Sequence, residues 1–407
     1  MSRSIKIINY IIYLLLIFYL LVDSITGVTS RNYGISLSIP YKFFLASLML
    51  VVVLNYKTNI TIWISLFLFW FILAYYFMII NNCPEISFSV QVCIKEVILI
   101  IFYIYFRLLK KLDLQCNDNL KYVININTII FSINMIIGLL GFGYSTYGSG
   151  FGTKGFFFAG NELFLFLLSS IYYYLKSDDK KRKFLLIIWF FTMGILLGTK
   201  TAILSLFLII LWDLYNNLRK EHKVKYFILL LFCLGVIIYF SFNLILEMEL
   251  IKNIIYKFNR IKDLSGSIFN ALLSGRIEFL KNTFQLWKNE LSFIRIVFGG
   301  GEFFQGKNIE IDFFDSIILN GYVFTIVYLI FLIFLLFRAL IKHNRLLFVI
   351  NLLVIIVSFF AGHVWYNLTG GIFFVMINAI PELRYEPREN NIFKYIFLYK
   401  VKDYKYE

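Results

Sequence analysis

The chain has 407 residues, of which 60% are apolar, 20% aromatic and only 15% charged. A water-soluble fold of this length cannot hide so much apolar surface, so the composition excludes a soluble globular protein. The formal net charge of +15 comes from short basic clusters between apolar runs, where cations set topology and meet anionic lipid, which argues against a nucleic-acid partner.

The apolar runs show no alternation of the kind an outer-membrane barrel needs, so helices are expected. A spanning helix takes about 20 mostly apolar residues, which predicts one all-α polytopic domain over 1–407 with about twelve transmembrane helices. Their centres fall near residues 14, 48, 70, 101, 131, 168, 191, 208, 235, 328, 354 and 372. The N-terminal "MSRSIK" and the run after it mimic a signal peptide. No small-residue cleavage site follows, so the run is expected to stay as the first helix. With the N terminus inside, "RLLKK", "KSDDKKRK", "LRKEHKVK", "RALIKHNR" and the basic tail 381–407 all face the cytoplasm, as the positive-inside rule requires. Both termini are then cytoplasmic. Cys83, Cys93, Cys116 and Cys233 have no disulfide or zinc spacing.

The first outer segment to carry information is "GFGYSTYGSGFGTKGFFFAGNE", Gly141 to Glu162. Its glycines open backbone conformations closed to other residues, but no strand precedes it, so it reads as a re-entrant or lid loop and not as a nucleotide-binding turn. Lys154 and Asn161 are its candidate contacts to a ligand. The spans near 191 and 208 are short, with a break expected near Gly198. Lys200 in "GTKTAIL" follows that break, either snorkelling to headgroups or meeting a phosphate.

The long outer loop, Glu247 to Asp315, has helical periodicity. In "SGRIEFLKNTFQLWKNEL", Ile277, Leu280, Phe284, Trp287 and Leu291 recur at three and four residues and form one stripe. "LIKNIIYKFNRIK" repeats the design, and both amphipathic helices suit the headgroup boundary. Arg276 opens the first of them beside Ser274 and Gly275, where free backbone N–H groups favour an anion. The loop ends in "IEIDFFDSIILNG", with Glu310, Asp312 and Asp315 just before the tenth span. Asp312 or Asp315 can cap that helix. An extended Glu310-Ile-Asp312 would instead project two carboxylates to one side. Finally "AGHVWYNLTGG" carries His363, the one histidine placed outside, able to accept or donate a proton near neutral pH.

These stretches resemble the O-antigen polymerase and ligase superfamily, bacterial membrane glycosyltransferases that act on undecaprenyl-pyrophosphate-linked sugars. The likeness lies in "GTKGFFFAGNE", "LGTKTAIL", "SGRIEFL", "FGGGEFF", "IEIDFFDSIILNGY" and "AGHV", in that order around a long outer loop. One departure is Lys200, where many relatives have Ser-Arg; a lysine keeps the charge and loses the planar fork. The resemblance implies a polymerase of capsule, exopolysaccharide or O-antigen repeat units in the bacterial cytoplasmic membrane, working on the extracytoplasmic side. It implies no metal or other cofactor, and a flippase and chain-length regulator as pathway partners. Arg276 and Lys200 would hold the pyrophosphate, while His363, Glu310 and Asp312 would serve the acceptor hydroxyl, with Lys154, Asn161 and Asp315 as further contacts. Trp287, Trp365 and Phe156 are candidate sugar-stacking rings. Ligation of finished polymer is the nearest alternative, and a lipid-linked oligosaccharide exporter, for which Lys95 and Glu96 inside the fourth span would speak, is the alternative from another class.

Overall fold

The structure is a computed structural model describing residues 3–56, 58–83, 86–112, 116–146, 152–177, 179–220, 225, 255–256, 258–263, 266–289, 292–360, 362 and 364–384. Among these the regular elements are helical. They are α1 (Arg3–Ile17), α2 (Tyr19–Tyr33), α3 (Ser38–Tyr56), α4 (Thr58–Ile80), α5 (Ile86–Lys111), α6 (Cys116–Leu139), α7 (Phe164–Leu175), α8 (Lys180–Leu197) and α9 (Lys200–Lys220). After these come α10 (Ile268–Leu272), α11 (Arg276–Asn289), α12 (Phe293–Phe298), α13 (Asp312–Ile341), α14 (Arg345–Phe360) and α15 (Leu368–Ala379).

Five helices are long and apolar enough to cross a membrane: Ser38–Tyr56, Trp63–Ile80, Asp118–Leu139, Lys200–Arg219 and Asp312–Ile341. The α1–α2 pair, bent by 53°, makes a sixth as one broken span. The expected count of about twelve is thus met by five or six helices of full spanning length. Helices do occupy the expected positions near 168 and 372, but α7 and α15 have 12 residues each, about 18 Å at 1.5 Å per residue. Every residue of both is buried, so they form the centre of the bundle. The span expected near 235 lies outside the described residues, as do residues 250–254 and 257 of the stretch "LIKNIIYKFNRIK". The break expected near Gly198 is present: α8 ends at Leu197 and Gly198 takes φ 72° before α9 begins.

α15 packs against α5 and α7 through two glycines. A side chain at Gly370 would come within 2.6 Å of Phe166 N, and one at Gly371 within 2.6 Å of Leu99. Small residues let helix backbones approach this closely where lipid supplies no hydrophobic drive. Charge is also handled inside the bundle: Lys42 and Asp23, both nearly buried, pair at 2.7 Å, and Lys42 donates to Thr369 Oγ1 at 3.0 Å.

Helix breaks in a membrane leave backbone groups that must find partners in the protein. At the α1–α2 bend, Asn127 of α6 supplies both: its Oδ1 accepts from Leu20 N at 2.9 Å and its Nδ2 donates to Leu16 O at 2.8 Å. A second break lies inside α13, at Gly321 with φ 76° and ψ 172°. There the carbonyls of Ile318 and Leu319 accept from Gly301 N and Gly300 N, both at 2.9 Å. The approach needs glycine on each side, since a Cβ at Gly321 would stand 2.3 Å from Val297 O and one at Gly299 2.3 Å from Leu319 O.

Candidate functional site

The upper half of α13 organises the candidate site. Asp312 and Asp315 lie in its first turn, where carboxylates complement the helix dipole. Both are fully buried, and both accept from backbone N–H groups of neighbouring segments. Asp315 Oδ1 accepts from Ile309 N at 3.0 Å and Oδ2 from Glu310 N at 3.1 Å. Asp312 Oδ2 accepts from Val364 N at 2.8 Å and Trp365 N at 3.1 Å. Charge-assisted bonds of this kind are among the stronger ones. They tie Glu310 on one side and the residues just after position 363 on the other to a single helix end.

Glu310 is bent outward by this grip. Its backbone takes φ 62°, unusual for a residue with a side chain, and Gly362 lies flat against it, with space for a Cβ only 2.8 Å from Glu310 Cα. The alternation expected for Glu310-Ile-Asp312 is therefore absent: Glu310 reaches the surface and Asp312 is enclosed. The Glu310 carboxylate accepts from Arg276 Nη2 at 2.6 Å, with side-chain exposures of 48% for Glu310 and 21% for Arg276. Arg276 Nη1 donates to Phe360 O at 3.0 Å. A guanidinium has five N–H donors, and those remaining meet no protein acceptor among the described residues.

The α11 N-terminus differs from its expected state. Ser274 and Gly275 take φ 60° and 87°, but Asn270 Oδ1 accepts from Ile277 N at 3.1 Å and Glu278 N at 3.3 Å. These N–H groups are capped by the protein, and the anion-binding capacity of this helix end rests on the Arg276 side chain. The buried stripe of α11 runs through Thr283 and Trp287, while Phe284 faces out at 42% exposure. Trp287 lies under Gly301, where a Cβ would stand 2.6 Å from its ring. Trp365 is likewise enclosed, 5.3 Å from the Tyr328 ring. Neither offers a face to a sugar, and Phe156 packs edge-on against Tyr144 at 6.2 Å.

Other expected site residues stand elsewhere. Lys154 is buried and donates to Phe158 O at 2.7 Å; burial, reinforced by Arg31 and opposed by Glu162, pulls its ammonium below the usual lysine range. Asn161 opens a 3-10 turn, and its neighbour Glu162 accepts from Thr369 Oγ1 at 3.0 Å. Lys200 is exposed at the start of α9; the adjacent end of α8 is held by the glycine loop, through Thr153 N to Leu196 O at 2.7 Å and Thr146 Oγ1 to Leu197 O at 2.8 Å. His363 lies outside the described residues.

Two residues join the site that the sequence does not place there, although Glu96 stands out in it as an ionisable group inside a span. Glu96 of α5 is fully buried and accepts from Asn320 Nδ2 at 3.5 Å, beside the Gly321 break, so α5 braces the same half-helix that carries Asp312 and Asp315. Tyr366 is buried close enough to Asp312, Asp315, Glu96 and Glu310 that burial first, and then these acids, push its phenol well above the ordinary tyrosine range. Comparison of the chain with protein-family models, curated proteins and solved structures finds no match.

Proposed function

We propose that this protein is a membrane glycosyltransferase that polymerises oligosaccharide repeat units carried on a lipid pyrophosphate. The observation that supports this most is the Arg276–Glu310 pair at 2.6 Å, half-exposed and carried by a rigid, buried scaffold of carboxylate-to-backbone bonds. Sugar transfer from a lipid pyrophosphate needs little beyond charge stabilisation on the departing phosphate and removal of a proton from the attacking hydroxyl. Arg276 keeps donors for phosphate oxygens while Glu310 holds its plane. When phosphate engages the guanidinium, the Glu310 carboxylate is positioned to take the hydroxyl proton, with His363 as the other candidate for that step. The hydroxyl oxygen then bonds to the anomeric carbon as the bond to pyrophosphate breaks.

A lipid-linked oligosaccharide exporter is the second reading, favoured by the ionisable groups inside the bundle, Asp23 with Lys42 and Glu96. Deletion in the native host separates the two. Loss of a polymerase leaves single repeat units delivered to the surface acceptor, a ligase mutant accumulates long chains on the carrier, and loss of an exporter leaves lipid-linked units on the cytoplasmic side.

A further inference from the structure

The end of the bundle away from Arg276 carries a second charged centre that the proposed chemistry does not use. α15 stops at Ala379, and the chain that follows is gripped from several sides. Arg338 of α13 donates through Nη1 to Asn378 O at 2.6 Å and Tyr103 Oη at 2.5 Å, and through Nη2 to Ala379 O at 3.3 Å. Tyr172 donates to Pro381 O at 2.7 Å, the Lys176 ammonium donates to the same carbonyl, and Lys110 pairs with Glu382. Arg107 stands near Arg338, and Arg384 near Lys176.

Cations from α5, α13, the end of α7 and the segment after α15 thus gather around Glu382, the carboxylate that Lys110, Lys176 and Arg338 share among the described residues. Backbone carbonyls orient Arg338 and Lys176 without neutralising them. At Lys176 burial pushes the ammonium down to about 8; Glu382 opposes that shift, and Arg384 and Lys110 add to it. Glu382 shows the converse: burial opposes its ionisation, yet the bond from Lys110 and the charges of Lys110 and Lys176 hold it below the usual carboxylate range. A topology signal needs only cations on loops; it does not bring them from four parts of the chain onto one acid. We infer that this cluster binds a phosphate-bearing anion, either the phosphodiester of an anionic phospholipid headgroup or a soluble phosphate. The site lies where the helices α5, α7, α13 and α15 end, which is headgroup level for a bundle in a bilayer, and it does not depend on the glycosyltransferase proposal.

The test uses the full chain in an uncharged detergent, with phosphatidylglycerol, phosphatidylcholine and inorganic phosphate as probes read by native mass spectrometry and thermal shift. Phosphatidylglycerol is expected to be retained and to raise the melting midpoint, phosphatidylcholine to do neither, and Arg107→Gln with Lys110→Gln to weaken binding about tenfold or more. Neutralising Lys281 and Lys288, on the helix that carries Arg276, should change nothing. Competition by inorganic phosphate assigns a soluble ligand, and its absence assigns the headgroup. Should the double variant fail to fold, the unaltered protein still decides. Phosphate binding favours charged Lys176, facing Glu382, Arg384, Lys110 and Tyr172, so affinity must fall as pH rises through about 8, with proton uptake on binding below the ordinary lysine range. Equal retention of both lipids without phosphate binding, an unchanged double variant, or affinity independent of pH would each overturn the site.

Discussion

Asp315 and Glu310 are joined through the backbone and not through their charges: the buried Asp315 carboxylate accepts the Glu310 N–H at 3.1 Å, while the Glu310 carboxylate turns away to Arg276. Asp315→Asn keeps one acceptor oxygen and strands one N–H, either that of Ile309 or that of Glu310. A buried donor left without a partner costs about 1–3 kcal/mol. The variant is expected to insert normally and melt earlier, with Asp315→Ala melting earlier still; equal midpoints would remove the clamp from the scaffold.

Arg276→Ala is expected to abolish polymer while the protein accumulates in the membrane, a loss of roughly 10²-fold or more if one charge-stabilising donor is removed. Arg276→Lys should recover little, since a lysine cannot hold Glu310, Phe360 O and a phosphate in one plane. Glu310→Gln should also lose activity, and activity should persist in EDTA. Polymer ladders on gels, set against membrane protein level, give the measurement. Normal ladders in both Arg276 variants would reduce the arginine to a surface charge.

Two glycines, both with positive φ, differ in the space around them. Gly141 takes φ 86° and a Cβ there meets nothing within 4 Å, whereas Gly321 takes φ 76° and a Cβ there meets Val297 O at 2.3 Å. Gly141→Ala is expected to cost only the left-handed penalty, about 1–2 kcal/mol. Gly321→Ala should cost clearly more, because the contact with the Gly299 segment must open as well. Thermal midpoints of the two variants give the comparison.

Stability should respond to pH through Lys176. Its folded-state value lies near 8 against about 10.4 for a free lysine, so between these limits the unfolded chain binds more protons and the folded state gains as pH rises. The midpoint of the unaltered protein should therefore rise relative to that of Lys176→Gln from pH 8 towards 10. A difference constant over that window would place Lys176 in water.

The orientation expected from the basic clusters can be read directly. A cysteine at Lys281, exposed on α11, should react with an impermeant maleimide in intact cells. Reaction only after permeabilisation would turn the bundle over and put Arg276 inside.

Membrane class, helical architecture and the break at Gly198 were legible in the sequence, because apolar run length and charge placement are local properties; the meeting of Arg276 with Glu310, 34 residues on, was expected only through the family resemblance. What was not legible depends on partners distant in the chain. Asn127 is 107 residues from Leu20, and nothing near either residue says that one satisfies the other. The burial of Asp312 follows from the loop after α14 folding back onto it, and α7 and α15 read as spans because a fully enclosed helix is as apolar as a lipid-facing one. Phe284, expected in the apolar stripe, faces out and Thr283 is buried because α11 packs against a protein surface that includes Gly301 and Phe304.

The break at Gly321 fixes an order of assembly. The two carbonyls it exposes, those of Ile318 and Leu319, are satisfied by Gly300 and Gly301, which leave the ribosome some twenty residues earlier. The glycine segment is thus already synthesised when the interrupted helix enters the bilayer, and the helix can be seated without leaving bare peptide groups in hydrocarbon for long. A circular permutation placing α13 ahead of the glycine segment would preserve every contact of the finished fold and remove this advantage, so its yield in membranes would report the cost of meeting the partner late.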